Sequence, residues 1–302
     1  MSNVNEYKDI VAYHPGYYIA DIIEDMEISQ AELAKEIDYK YFVDVIGLPI
    51  ARSINEKVAN LCKYFKVADL RIMLKPDFLV NFRSSASCNN EKNIINSRAW
   101  IQTAINISKS IETKPYNAER LKGYLPELRG MTVKKPEEFL PRMREIFAEC
   151  GVAFVLLPHL KNSGVNGAVK WVSEKRVVLA MNNRGLDADK FWFSLFHEIK
   201  HVLQQKIKTV FISSTVEEMK DINDKLEIEA DKFAMNYLIP PADYKRLVPT
   251  KYTSDDEIVE FAKSIGIHPG IVAGRLQHEG IIAQNRCSKL KEKYVIEIKH
   301  IA

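Results

Sequence analysis

The sequence predicts an α+β protein with a helical N-terminal segment, a helical connector and a C-terminal part where a small sheet lies beside a long apolar helix. Three observations carry this reading. Apolar residues recur mainly at helical spacing as far as Cys150. From Gly151 the pattern changes to short β-rich runs. Helical spacing then returns in FWFSLFHEIKHVLQ, Phe191 to Gln204, which contains His-Glu-x-x-His. The expected boundaries are 1–80, 81–135 and 136–302.

In the first segment, Tyr18, Ile19, Ile22, Ile23 and Met26 lie on one helix face. Ser29-Gln30-Ala31-Glu32 has the form of a capping box, with Leu33, Ala34 and Ile37 as the buried side of the helix it opens. Tyr41 to Ile46 is a further apolar piece ending near Gly47, and Asn55 to Phe65 is amphipathic. Short helices carrying SQAELAK, preceded by HPGYYIADIIEDMEIS, resemble a helix-turn-helix domain of the XRE kind with a HigA-type opening. That resemblance implies that Tyr39 to Ile46, YKYFVDVI, is the helix that enters the major groove. It offers no Gln, Asn, Ser, Thr or Arg to read base edges. The expectation is therefore a degenerate domain that keeps the fold without direct base readout; DNA is a candidate partner only through residues 1–80.

Ser84 to Asn90 is small and polar and reads as a loop or hinge. Ser97 to Ile111 is helical in pattern, Asn117 to Leu125 is a helix expected to stop at Pro126, and Arg142 to Cys150 is a helix stopped by Gly151. Val152 to Leu157 is a strand closed by Pro158. Gly167 to Val172 and Arg176 to Met181 form a hairpin around Ser173-Glu174-Lys175, and Arg176 to Asn182 is the expected edge strand.

In the next helix, His197 and His201 are four residues apart and share a face, so both rings can point at one metal ion ~2.0–2.1 Å away. Glu198 projects to the side, where a carboxylate can take a proton from a metal-bound water. A catalytic zinc usually has a third protein ligand. Lys225 to Ile239 reads as a helix ended by Pro240-Pro241, with Glu227, Asp231 and Ala234 on one face. Glu227 is the candidate third ligand and Glu229 its competitor; Asp231 is placed to accept the second N–H of a ligand His. Gln204 to Lys225 is polar and reads as a loop or short helix near the cleft. Ser254-Asp255-Asp256-Glu257 starts a helix closed by Gly266, and Pro269 starts another. His268 and His278 have no partner at ligand spacing.

Composition sets bounds. A net charge of +3 over 302 residues neither demands nor excludes nucleic acid. Cys62, Cys88, Cys150 and Cys287 are far apart, which indicates neither a zinc knuckle nor a disulfide framework. Met1 to Asp9 lacks the apolar core of a signal peptide, and no apolar run approaches the ~20 residues of a membrane span. A reduced, cytoplasmic protein without a membrane partner is expected.

The stretch from Gly151 to about Leu290 resembles the ImmA/IrrE family of metallo-endopeptidases. The residues that carry the likeness are GVAFVLLPHL, NGAVKW, DKFWFSLFHEIKHVL, EIEADKFAMNYLIP and FAKSIGIHPGIVAGRLQHEG. The resemblance implies a zincin-like peptidase domain over 136–302. It implies Zn2+ held by His197, His201 and Glu227 and Glu198 as general base, and it sets Arg184 near the site, either as a substrate-binding residue or as an exposed loop arginine, the second being favoured. Lys200 departs from the pattern, which usually has Gly there. The implied partner is a protein substrate, a repressor or antitoxin, cut to relieve repression. The alternative is a DNA-binding antitoxin or transcriptional regulator in which the zinc domain is mainly structural or protein-binding.

Overall fold

The computed structural model describes residues 5–7, 10–12, 28–74, 91–182, 187–204, 216–247 and 254–294. The expected helix over Tyr18 to Met26, the polar stretch Ser84 to Asn90, Cys88 and Arg184 lie outside the described residues.

The sheet is the layer against which everything else is arranged. It contains β3 (Val152–Leu157), β4 (Gly167–Ser173) and β5 (Arg176–Asn182), in the order β3-β5-β4. A short antiparallel pair, β1 (Asn5–Tyr7) and β2 (Ile10–Ala12), is separate from it. β4 and β5 form the expected hairpin, with Ser173 opposite Arg176. β3 runs parallel to β5. The expectation of β5 as an edge is corrected: β5 is central, and β4 and β3 are the edges. The reason is legible in retrospect. β5 is buried through VVLAMN, as a strand covered on both faces must be, whereas β4 ends in the half-buried and exposed Lys170 to Ser173.

Alternation along the strands divides the interior in two. Phe154, Leu179 and Val169 are in register on one face, and Val155, Ala180 and Ala168 on the other. The second face joins a cluster built largely by the N-terminal helices α1 (Gln30–Glu36) and α2 (Ile54–Phe65) and the connector helix α3 (Glu91–Ser108). Its fully buried anchors include Phe42, Leu61 and Trp100. Tyr41 Oη and Trp100 Nε1 both donate to the Pro158 carbonyl, at 3.1 and 3.0 Å, tying the first segment to the end of β3. The capping box at Ser29 and Glu32 forms as expected. Tyr39–Tyr41 is one helical turn that widens into a π-helical turn, Phe42–Ile46, closed by Gly47.

The first face of the sheet carries the other cluster. It takes in α4 (Ala118–Gly130), α5 (Pro136–Glu149), α6 (Ala188–Leu203), α7 (Val216–Leu238), α9 (Asp255–Ile265) and α10 (Pro269–His278), with the short α8 (Pro241–Leu247) after α7. α4 continues through Pro126 rather than stopping before it. Burying Leu121, Leu125 and Leu128 on one stripe outweighs the one hydrogen bond Pro126 cannot make. α7 begins at Val216, so the second half of the expected loop before Lys225 is helical. No Gly or Pro interrupts Val216 to Ile239. Arg129 donates to the carbonyls of Tyr237, Leu238 and Ile265, satisfying the ends of α7 and α9 and fixing both against α4.

Candidate metal centre

α6 forms because Phe191, Trp192, Leu195, Phe196, Ile199 and Val202 give it a broad apolar surface, all of it buried. Within that surface lie two polar side chains, His197 at 0% exposure and Glu198 at 1%. Charged and imidazole groups are rarely placed so deep without a purpose or a partner. α7 packs along α6 through Leu226, Ala230, Ala234 and Leu238, four residues apart, and Phe196 stacks on Tyr237 with ring centres 5.3 Å apart. This spacing sets Glu227 and Asp231 on the turn facing His197 and His201.

The donor atoms of His197, His201 and Glu227 all lie within 4.8 Å of one another. The two Nε2 atoms are 2.9 Å apart. Glu227 Oε2 is 3.3 Å from His197 Nε2, and Oε1 is 3.2 Å from His201 Nε2. Ligands ~2.0–2.1 Å from a tetrahedral ion stand about 3.3 Å from each other. Each ring thus stands near that separation from a different oxygen of Glu227, and the rings themselves are somewhat closer.

Proton placement makes the same point. His197 Nδ1 is 2.9 Å from Asp231 Oδ1, and a carboxylate only accepts, so that ring donates from Nδ1. His201 Nδ1 is 2.9 Å from Gln204 Oε1. With Nδ1 protonated on both rings, both Nε2 atoms present lone pairs to the same point. Either a proton shared between the two Nε2 atoms or a cation between them satisfies these lone pairs. Only a cation also uses the Glu227 oxygen beside them, so the residues present fit a metal ion. Burial raises the Glu227 carboxyl pKa, but when the imidazoles are protonated their Nε2–H groups and charge outweigh this and hold it at about 2.

Glu229, the competing ligand in the sequence, points elsewhere: it is 3.3 Å from Lys200 Nζ and accepts from Gln204 Nε2 at 3.3 Å. Lys200 is therefore tied to the second helix. His268 stands apart from the cluster and caps α10, its Nδ1 accepting from the Gly270 N–H at 3.0 Å. His278 is exposed on the wall of a neighbouring cavity.

Two contributors escaped the sequence reading. Gly167, the first residue of β4, lies directly under Glu198. A β-carbon there would meet Glu198 Cγ at 2.7 Å and Oε1 at 2.8 Å. A glycine inside a strand does signal close approach, but nothing local says by what. Gln204 is the other. A cavity of about 360 Å3 opens on this side of the sheet, bounded by Asn166, Met181, Phe193, Met235, Leu238 and Gly274 among others. Phe193, whose ring centre is 6.4 Å from that of His197, links the cavity to the donor cluster.

The fold and site are those of a mixed helical and sheet domain with a His-Glu-x-x-His helix and a downstream acidic helix. Residues 156–277 match a peptidase family whose model is described as the IrrE N-terminal-like domain. The matched stretch contains His197, Glu198, His201, Glu227 and Asp231 and ends within α10. No curated protein matches the chain. The match supports a metallopeptidase of the IrrE type for this part of the chain. The N-terminal helices lie outside the matched stretch. Among the described residues, no helix is long and apolar enough to cross a membrane.

Proposed function

We propose that this protein is a zinc-dependent endopeptidase that cleaves a regulatory protein, a repressor or antitoxin. The observation that supports it most is the convergence of His197, His201 and Glu227 with Glu198 buried beside them and seated on Gly167. His197 and His201 from one helix and Glu227 from the next would hold the metal. The ion, when bound, supplies a lowered water pKa and polarisation of the scissile carbonyl. Glu198 takes the proton of the attacking water and delivers it to the leaving amine. Asp231 holds His197 in the tautomer that presents Nε2. β4 is an outer strand of the sheet, to which an extended peptide can add, and its Gly167 end leads to Glu198. The adjoining cavity, walled by Met181, Phe193, Met235 and Leu238, receives a substrate side chain.

A regulatory role is in keeping with the N-terminal helices. The turn expected to read DNA buries Tyr39, Tyr41 and Phe42, and pairs its exposed Lys40 with Asp44. That favours a protein partner over a base-reading role.

Metal content of the purified protein tests the reading. About one zinc per chain is expected in wild type, lost in His197→Ala and Glu227→Ala. Glu198→Gln is expected to keep the metal and abolish cleavage of the repressor or antitoxin. A wild-type protein that neither retains zinc nor takes it up would end the proposal.

A further inference from the structure

The last residue of the active helix stretch, Gln204, makes a closed set of contacts. Its Oε1 is 2.9 Å from His201 Nδ1. Its Nε2 is 3.3 Å from the Leu226 carbonyl and 3.3 Å from Glu229 Oε2. The orientation of a side-chain amide is settled by its neighbours. The Leu226 carbonyl and the Glu229 carboxylate only accept, so the NH2 group must face them. The amide oxygen then faces His201, and His201 must donate from Nδ1. In the neutral ring Nε2 then carries the lone pair that an ion shared with Glu227 and His197 would need.

The same amide reaches the backbone of the opposite helix. Leu226 immediately precedes Glu227, so the bond to its carbonyl sets where α7 presents the third donor. Glu229, the far end of the contact, is itself held by Lys200 at 3.3 Å. One side chain at the C-terminal end of α6 thus acts on two of the three donors: on His201 through its proton, and on Glu227 through its backbone. Asp231 does the first of these for His197 only.

We propose that Gln204 is a positioning residue of the metal centre, which fixes the His201 tautomer and the placement of Glu227 so that both face one ion. This rests on the metallopeptidase reading above. The test uses the full chain: zinc affinity by competition with a chromophoric chelator, and nitrogen-15 NMR of the histidine rings. Wild type is expected to show His201 protonated at Nδ1. Gln204→Ala is expected to bind zinc ~10- to 100-fold more weakly, the size usual for an outer partner of a metal ligand. Its His201 is expected to lose the single Nδ1–H form, a change that general destabilisation of a folded variant would not produce. Gln204→Glu keeps an acceptor for His201 but loses the donor to Leu226, so its affinity is expected between the two. It also keeps the inference testable if the alanine variant fails to fold.

Unchanged zinc affinity in folded Gln204→Ala or Gln204→Glu, beside a zinc-binding wild type, overturns this inference alone. A wild type that binds no zinc overturns the metal reading and this inference together.

Discussion

Glu198 owes its position to a residue with no side chain. It is 1% exposed and rests against Gly167, where a β-carbon would come within 3 Å of three of its atoms. Because Glu198 is enclosed, it cannot swing aside to make room. Gly167→Ala is therefore expected to displace the carboxylate by several tenths of an ångström or more and leave His197, His201 and Glu227 where they are. Misplacement of a reacting group by ~1 Å can cost ~100-fold in rate. The expected phenotype is wild-type zinc content with cleavage down by ~10- to 100-fold. Full activity in a folded Gly167→Ala variant would show that Glu198 tolerates the shift. The donor residues themselves were legible in the sequence, because four-residue spacing on a helix fixes what shares a face. Choosing Glu227 over Glu229 needed the second helix in place, since only the angle between α6 and α7 decides which acid meets the imidazoles. Gly167 and Gln204 were illegible for a related reason: each acts through a partner on another element. Arg184, expected near the site, lies outside the described residues.

At the scale of elements, helix ends carry much of the specification. The capping box at Ser29, the helix start at Ser254 and the Gly266 stop were all readable, because caps are local chemistry. The start of α10 is different, since its cap is an imidazole. His268 Nδ1 can accept the Gly270 N–H only while it carries no proton. Burial holds its pKa below the ordinary 6.5, against the opposing pull of Glu292 and Asp189. A folded pKa below the unfolded one means that this contribution is complete above about pH 6.5 and is lost as pH falls through the lower folded value. His268→Asn keeps a capping oxygen and removes the titration. The stability difference between wild type and this variant is expected to move against wild type by ~1 kcal/mol between about pH 7 and pH 5. Denaturant midpoints across that range measure it. A constant difference would mean that the cap does not respond to protonation.

For the molecule as a whole, the sheet is shared property. Peptidase-side helices cover one face, and the N-terminal helices with α3 cover the other. The expected helical composition of the first segment was readable, but its use as a cover was not. Strands buried on both faces read as uniform apolar runs, which say nothing about what lies on either side. Leu33, Phe42, Leu61, Phe65, Leu70 and Met73, all at 3% exposure or less, belong to the same cluster as Val155, Val178 and Ala180 of the sheet. A fragment beginning at Glu91 is therefore expected to melt well below the full chain or to aggregate, and the full chain to unfold in a single transition. Calorimetry of both proteins decides it. A soluble fragment melting within a few degrees of the full chain would show that the first segment is dispensable for the core.

The alternation of β4 has a consequence for how such a chain can change length. Gly167 lies against the Glu198 carboxylate while its neighbour Ala168 faces the N-terminal cluster. Adding or deleting one residue inside the hairpin would exchange those roles all along it, sending a β-carbon under Glu198 and emptying a place in the other core. Insertions are ruinous within 167–172 and 176–182 and best borne at the exposed Ser173-Glu174-Lys175 turn. A library of single-codon insertions would trace the hairpin as two intolerant intervals flanking a permissive turn.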